Sequence, residues 1–276
     1  MLKDLIVNLA VGAKSDPAAE YALSIAQMFD AHITGTAFAL KPVIPGMVIE
    51  GVTADVVDSA IKENEQAAQA AILHFQASAS KQGVSSETVS VTEMLVDATD
   101  RFARMARAFD ISVVAQADPN GSGLEDLFIE AALFASGRPV VIVPYIQRSP
   151  VKLDRVICGW DGSQAAARSI ADAMPILQKA KRIDLLMVTT GKTKSQRIAG
   201  TDMAQHLARH KLNVNLEQIT APDSDVANVV LSYAADTAAD FLVMGGYGHS
   251  RWREFILGGA TRGILSSMTI PTLMAH

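Results

Sequence analysis

Near the C-terminus, Gly245-Gly246-Tyr247-Gly248-His249-Ser250 is followed by Gly258-Gly259-Ala260-Thr261. Gly245 and Gly248 permit a tight turn free of side chains, so backbone N–H groups can approach an anion closely. Gly258 and Gly259 would open a helix, and the N-terminal end of a helix favours phosphate. Two other apolar runs end in Gly159-Trp160-Asp161-Gly162 and Val188-Thr189-Thr190. The chemistry is that of holding a phosphorylated ligand, with Asp161 opposite the glycines. His249 sits where it could touch a terminal phosphate or move a proton; an exposed loop histidine is the plainer reading. No Ser-His-Asp arrangement with a nucleophile elbow and no His/Cys metal spacing occurs, so no catalytic residue or metal ligand is assigned. Gly191-Lys192-Thr193 looks like the end of a phosphate-binding loop, but the glycine that motif requires falls on Leu186 inside a strand, which makes it a decoy.

The elements that must position these residues come in two rounds. Strands are expected near Leu5–Leu9, Ile33–Phe38, Ser85–Val91, Ile111–Ala115 and Val140–Val143. A second set follows near Arg155–Gly159, Arg182–Val188, Val214–Ile219, Phe241–Met244 and Thr272–Ala275. Helices are expected between them near Asp55–Gln82, Ala98–Ala108, Leu124–Ala135, Ser195–His210, Asp225–Ala235 and Arg253–Ser267, with two more opening at Asp16-Pro17 and at Asp161-Gly162-Ser163-Gln164. Short strands alternating with helices indicate βαβ units and parallel sheets. Runs such as Leu185-Leu186-Met187-Val188 lack polar alternation, as strands covered on both faces do. Pro144 and Pro150 mark a boundary, giving domains at 1–147 and 151–276. The first has an extra Pro- and Gly-containing stretch over 41–54, read as a packed surface loop, with a lid or a partner-binding loop as alternatives.

Composition narrows the function classes. Of 276 residues, 49% are hydrophobic and 19% charged, so a buried core is feasible. No apolar run approaches the roughly 20 residues of a membrane span. The net charge of -5 argues against duplex nucleic acid as a partner. Residues 1–148 hold 10 basic and 18 acidic residues, and the remainder 14 and 11, so the second half is the one suited to a small anion. The lone Cys158 rules out an internal disulfide, suits a reducing cytoplasm and reads as an inert core residue.

The loop resembles that of the universal stress protein family, whose pattern is Gly, two residues, Gly, nine residues, Gly, then Ser or Thr. Gly245, Gly248 and Gly258 fit that spacing, and the closing Arg262–Met274 segment is also similar. The resemblance covers nearly the whole chain. It implies two tandem flavodoxin-like (adenine nucleotide alpha hydrolase-like) domains, each a five-stranded parallel sheet of order 3-2-1-4-5. It implies ATP, or ADP or AMP, with or without Mg²⁺. By resemblance, Gly159, Trp160 and Asp161 lie by the ribose or metal, and the Val188 backbone reads adenine. Met244 and Gly245 line the ribose and phosphate side. Gly248, His249, Gly258, Gly259, Ala260 and Thr261 form or flank the phosphate loop. Gly259 replaces the family's hydroxyl residue, with Thr261 in reach to compensate, and Trp160 is bulky enough to narrow the pocket. The first half has no Asp after its first strand, and Glu130 falls near a phosphate glycine. It is therefore expected not to bind nucleotide. The implied role is regulation during stress through an unknown protein partner. A slow ATPase or autophosphorylating enzyme and an interaction module without nucleotide are the alternatives. Family domains pair through their last strands, which implies an intramolecular pseudo-dimer here, or a homodimer of chains.

Overall fold

The computed structural model describes residues 1–42, 54–119, 121, 123–189, 200–221, 225–246 and 259–276. Most of the 41–54 stretch, the Gly191-Lys192-Thr193 decoy, and Gly248, His249 and Gly258 lie outside them.

The first half runs β1 (Asp4–Asn8), α1 (Pro17–Phe29), β2 (His32–Leu40), α2 (Ala54–Gln82), β3 (Ser86–Glu93), α3 (Leu95–Ala106), β4 (Ile111–Ala115), α4 (Leu124–Ala135) and β5 (Val140–Val143). The second runs β6 (Arg155–Gly159), α5 (Gln164–Asp172), α6 (Met174–Leu177), β7 (Arg182–Thr189), α7 (Gly200–Arg209), β8 (Val214–Thr220), α8 (Val226–Asp236), β9 (Phe241–Gly245), α9 (Gly259–Ser267) and β10 (Thr272–Ala275). Among the described residues, the ten strands join one sheet in the order β3-β2-β1-β4-β5-β10-β9-β6-β7-β8. Each half taken alone has the order 3-2-1-4-5. Every pairing within a half is parallel. The seam is the exception: β5 and β10 run antiparallel, with Thr272 opposite Ile142 and Met274 opposite Val140. Strand C-termini of the two halves therefore lie on opposite edges of the sheet.

Two cores result. One packs α1, α2, α5, α6 and α7 on one face of the sheet; the other packs α3, α4, α8 and α9 on the opposite face. Leu5, Ile6 and Val7 of β1 are all fully buried, because both faces are covered. Asp184 is a polar exception on β7, fully buried yet satisfied on both oxygens. Arg155 Nε donates to one at 2.5 Å, Tyr233 Oη to the same one at 3.1 Å, and Arg182 Nε to the other at 2.9 Å.

Helix α1 begins as its residues dictate. Pro17 occupies the first turn, where no N–H is needed, and Asp16 caps it by accepting from Ala19 N at 2.9 Å. The other Asp16 oxygen accepts from Ala10 N at 2.8 Å, tying the β1–α1 loop to the helix. Asp16→Ala removes both bonds. It is expected to destabilise the chain by about 1–2 kcal/mol in urea titration, and an unchanged midpoint would refute the double role.

Candidate functional site

Strands β6 and β9 are neighbours, and from them the chain leads in opposite directions, to β7 and to β10. The C-terminal ends of such a pair form the crevice where open parallel sheets bind ligands. Cys158 registers with Val243, which sets Gly159 beside Met244; a Cβ built on Gly159 would lie 3.5 Å from that of Met244. Trp160 N donates to Leu186 O at 2.9 Å, and its indole is 4% exposed within the core on the α5–α7 face. The bulk that sequence reasoning expected to narrow a pocket is absorbed by that core. An Asp161 carboxylate oxygen accepts from Ser163 N at 2.9 Å, and Ser163 Oγ in turn caps α5 by accepting from Ala166 N at 3.1 Å. Val188 and Met244 are half-buried against the α8–α9 core.

Gly245 has a steric role. A Cβ there would lie 2.6 Å from Ala166 N and 2.7 Å from Ala165 C, so the first turn of α5 rests directly on it. Gly259 is the opposite case: it is exposed, opens α9, and has nothing within 4 Å of a built Cβ. Thr261 does not stand in for the missing hydroxyl at the exposed end. Two residues on, a helix has turned about 200°, and Thr261 is 4% exposed on the inner side of α9. The structure thus gathers Gly159, Trp160, Asp161, Val188, Met244 and Gly245 at one sheet edge, where α9 also begins.

The corresponding edge of the first half is built differently. Phe38 occupies on β2 the place of Val188 on β7, five residues beyond the matched Ile33 and Ile183. Phe38, Phe102 from α3 and Phe128 from α4 are buried together, with ring centroids 5.5–6.4 Å apart. Sequence reasoning missed this cluster. Glu130 also falls elsewhere than expected: α4 starts at Leu124, so position 130 lies in its second turn on the exposed side. The carboxylates in the first turn are Glu125 and Asp126, and burial pushes the Asp126 carboxyl up.

Cys158 is buried, and burial pushes its thiol up to about 12, so it stays protonated near neutral pH. Among the described residues, no three His, Cys, Asp or Glu side chains converge as metal ligands, and no helix is long and apolar enough to cross a membrane.

No family model matches the chain. A universal stress protein from Synechocystis sp. is 32% identical over 126 residues, which cover 44% of this chain and 42% of the relative. Over that segment the chain is similar to a universal stress protein. It matches less than half the length of that curated relative. A universal stress protein from Archaeoglobus fulgidus DSM 4304 superposes over 99% of this chain and 97% of its own, with a TM-score of 0.69 at 16% identity. A Pseudomonas aeruginosa PAO1 protein of unknown function superposes over 99% and 92%, with a TM-score of 0.64 at 12% identity. At such identities the two structures establish the universal stress protein fold for the full chain.

Proposed function

We propose that the chain acts as a universal stress protein whose second half binds an adenine nucleotide at the β6–β9 crevice, and that occupancy regulates a protein partner in the cytoplasm. The observation that supports this is one shared edge: Gly159–Asp161 beside Met244–Gly245 at the point where strand order reverses, with α9 opening there at an unobstructed Gly259. Asp161 would hold the ribose or a Mg²⁺ ion, and the Val188 backbone would meet adenine. The N–H groups of Gly259 and Ala260 would meet phosphate at the positive end of the helix. Gly248, His249 and Gly258 belong to the same proposal by sequence. The first half, as domain 1–147, serves as structural partner: Phe38, Phe102 and Phe128 fill its adenine side, and Glu125 and Asp126 disfavour an anion at α4.

Gly259→Asp tests the site. The position has open space, and an acidic residue suits the start of a helix, so folding is preserved. A carboxylate beside the phosphates should weaken ATP, ADP or AMP binding at least tenfold, about 1.4 kcal/mol, in calorimetry. Equal affinity in the variant, or no binding by the wild type with Mg²⁺ present, overturns the proposal. One observation favours the interaction-module reading: α5 by itself accounts for glycine at position 245, with no ligand needed. A slow ATPase is separated by label transfer from ATP, which a pure binder does not show.

A further inference from the structure

A cavity of about 370 Å³ lies in the first half, on the opposite face of the sheet from the three phenylalanines. Its walls are the loop after β1, the first turns of α1, and the middle of α2. The sequence explains the hollow. Residues 9–16 form an eight-residue link between β1 and α1, against four residues, 160–163, between β6 and α5. Facing that link, α2 presents Ala67, Ala70 and Ala71, which favour helix but fill little space. The floor is Phe75, 2% exposed and held by close packing on β2: a Cβ on Gly35 would come within 2.8 Å of its ring.

Polar groups also line the cavity: Asp16, Glu20, Lys14 and His74. The N-terminus of α1 is closed to anions, because its first residue is Pro17 and Asp16 already accepts from Ala19 N. Burial pushes the Asp16 carboxyl up, and the Glu20 carboxylate one turn on adds to that, so a positive charge brought alongside relieves both. A carboxylate accepts about four hydrogen bonds, and Asp16 retains acceptor capacity beyond the amides of Ala10, Ala18 and Ala19.

We infer that this cavity is a binding site for a small organic cation, an amine with an apolar or aromatic body. The body fits among Leu9, Ala19, Leu23 and the alanines of α2, and the ammonium group meets Asp16 and Glu20. The aromatic floor suits an apolar or aromatic body. The volume lies near the lower end of the range for ligand pockets, which suits a molecule of about ten heavy atoms. No described residue of the β4–α4 loop or of the second half lines the cavity, so the site is separate from the described part of the proposed nucleotide crevice.

The test uses the full chain with 2-phenylethylamine and its anionic counterpart phenylacetate, titrated by heteronuclear NMR. The amine should shift the amides of residues 9–20 and 67–78, and bind at least tenfold more tightly than phenylacetate, equivalent to about 1.4 kcal/mol. Ala71→Leu fills the hollow and should abolish the shifts; its thermal midpoint, within a few degrees of wild type, shows that it folds. Glu20→Gln should reduce the preference for the amine over phenylacetate several-fold. Equal binding of phenylacetate, binding that survives in a folded Ala71→Leu, or no amine-induced shifts overturns the inference. Nucleotide titrations of the same samples read the second half separately.

Discussion

Gly245→Ala is expected to destabilise the chain by about 3 kcal/mol, among the larger effects a single methyl group can have. Gly245 is not held in a left-handed conformation, so the requirement is for space rather than for torsional freedom. The obstacle is backbone: Ala166 N and Ala165 C stand 2.6 and 2.7 Å from the new carbon. A side chain could rotate away, but this helix turn can retreat only by lifting α5 off β9. The lift would also strain the Asp161 and Ser163 turn that opens α5. Urea denaturation followed by circular dichroism measures the loss, and a change below about 0.5 kcal/mol would mean that α5 yields freely. Gly259→Ala is the control, since its methyl group meets nothing within 4 Å and should leave stability unchanged or slightly raised.

Replacing Asp184 by Asn should cost a comparable amount, about 2–3 kcal/mol, with a distinct dependence on acid. Burial alone would raise this carboxyl; hydrogen bonds from Arg182, Arg155 and Tyr233, with the nearby Arg155 charge, outweigh burial and hold it below the ordinary carboxylate range. The Arg155 side chain is 23% exposed and that of Arg182 is 44% exposed, so water screens the Arg182 arm and most of the loss comes from Arg155. The sign with pH follows. A carboxyl lowered in the folded state stabilises fully above its unfolded value of about 3.9, and that stabilisation drains away as pH falls through the folded value. Wild type should therefore lose more stability than Asp184→Asn between about pH 5 and pH 2. Parallel acid titrations of the two would refute this assignment.

Much of this fold is written in local sequence. The runs at Val140–Val143 and Arg155–Gly159 are strands of those same bounds: the first is wholly β-branched, and the second centres on Val156-Ile157-Cys158, too short for a helix and buried throughout. The Asp16-Pro17 start of α1 is equally local. What escaped reading is non-local or negative. Met174–Leu177 is a four-residue helix, too short for a periodic signal and obscured by Pro175. Phe38, Phe102 and Phe128 are widely separated in the chain, and only the sheet order brings their rings together. The alanines of α2 signalled helix strongly, but nothing in their type says that their neighbours leave a hollow. At the candidate site, glycine spacing pointed to the right sheet edge, yet it could not distinguish Gly245, which makes room for a helix, from Gly259, which faces open space.

The antiparallel seam between β5 and β10 frees the halves from a constraint that binds any pair of identical subunits. Across a two-fold axis every residue change appears twice, so the interface must stay complementary to itself. Here the equivalent contacts have diverged. Gln116 follows β4 as Gly246 follows β9, and Leu133 precedes β5 by the same seven residues as Leu265 precedes β10. On one side of the axis, Gln116 Nε2 donates to Leu265 O at 2.8 Å. On the other, Gly246 offers no side chain, and the Leu133 side chain occupies the space, 2.8 Å from where a Cβ would stand. One copy of the contact is a hydrogen bond and its mirror image is a knob in a vacated hole. Two separate copies of one sequence could not hold both arrangements at once, so covalent fusion is what allows this interface a handed, addressable pair of sides.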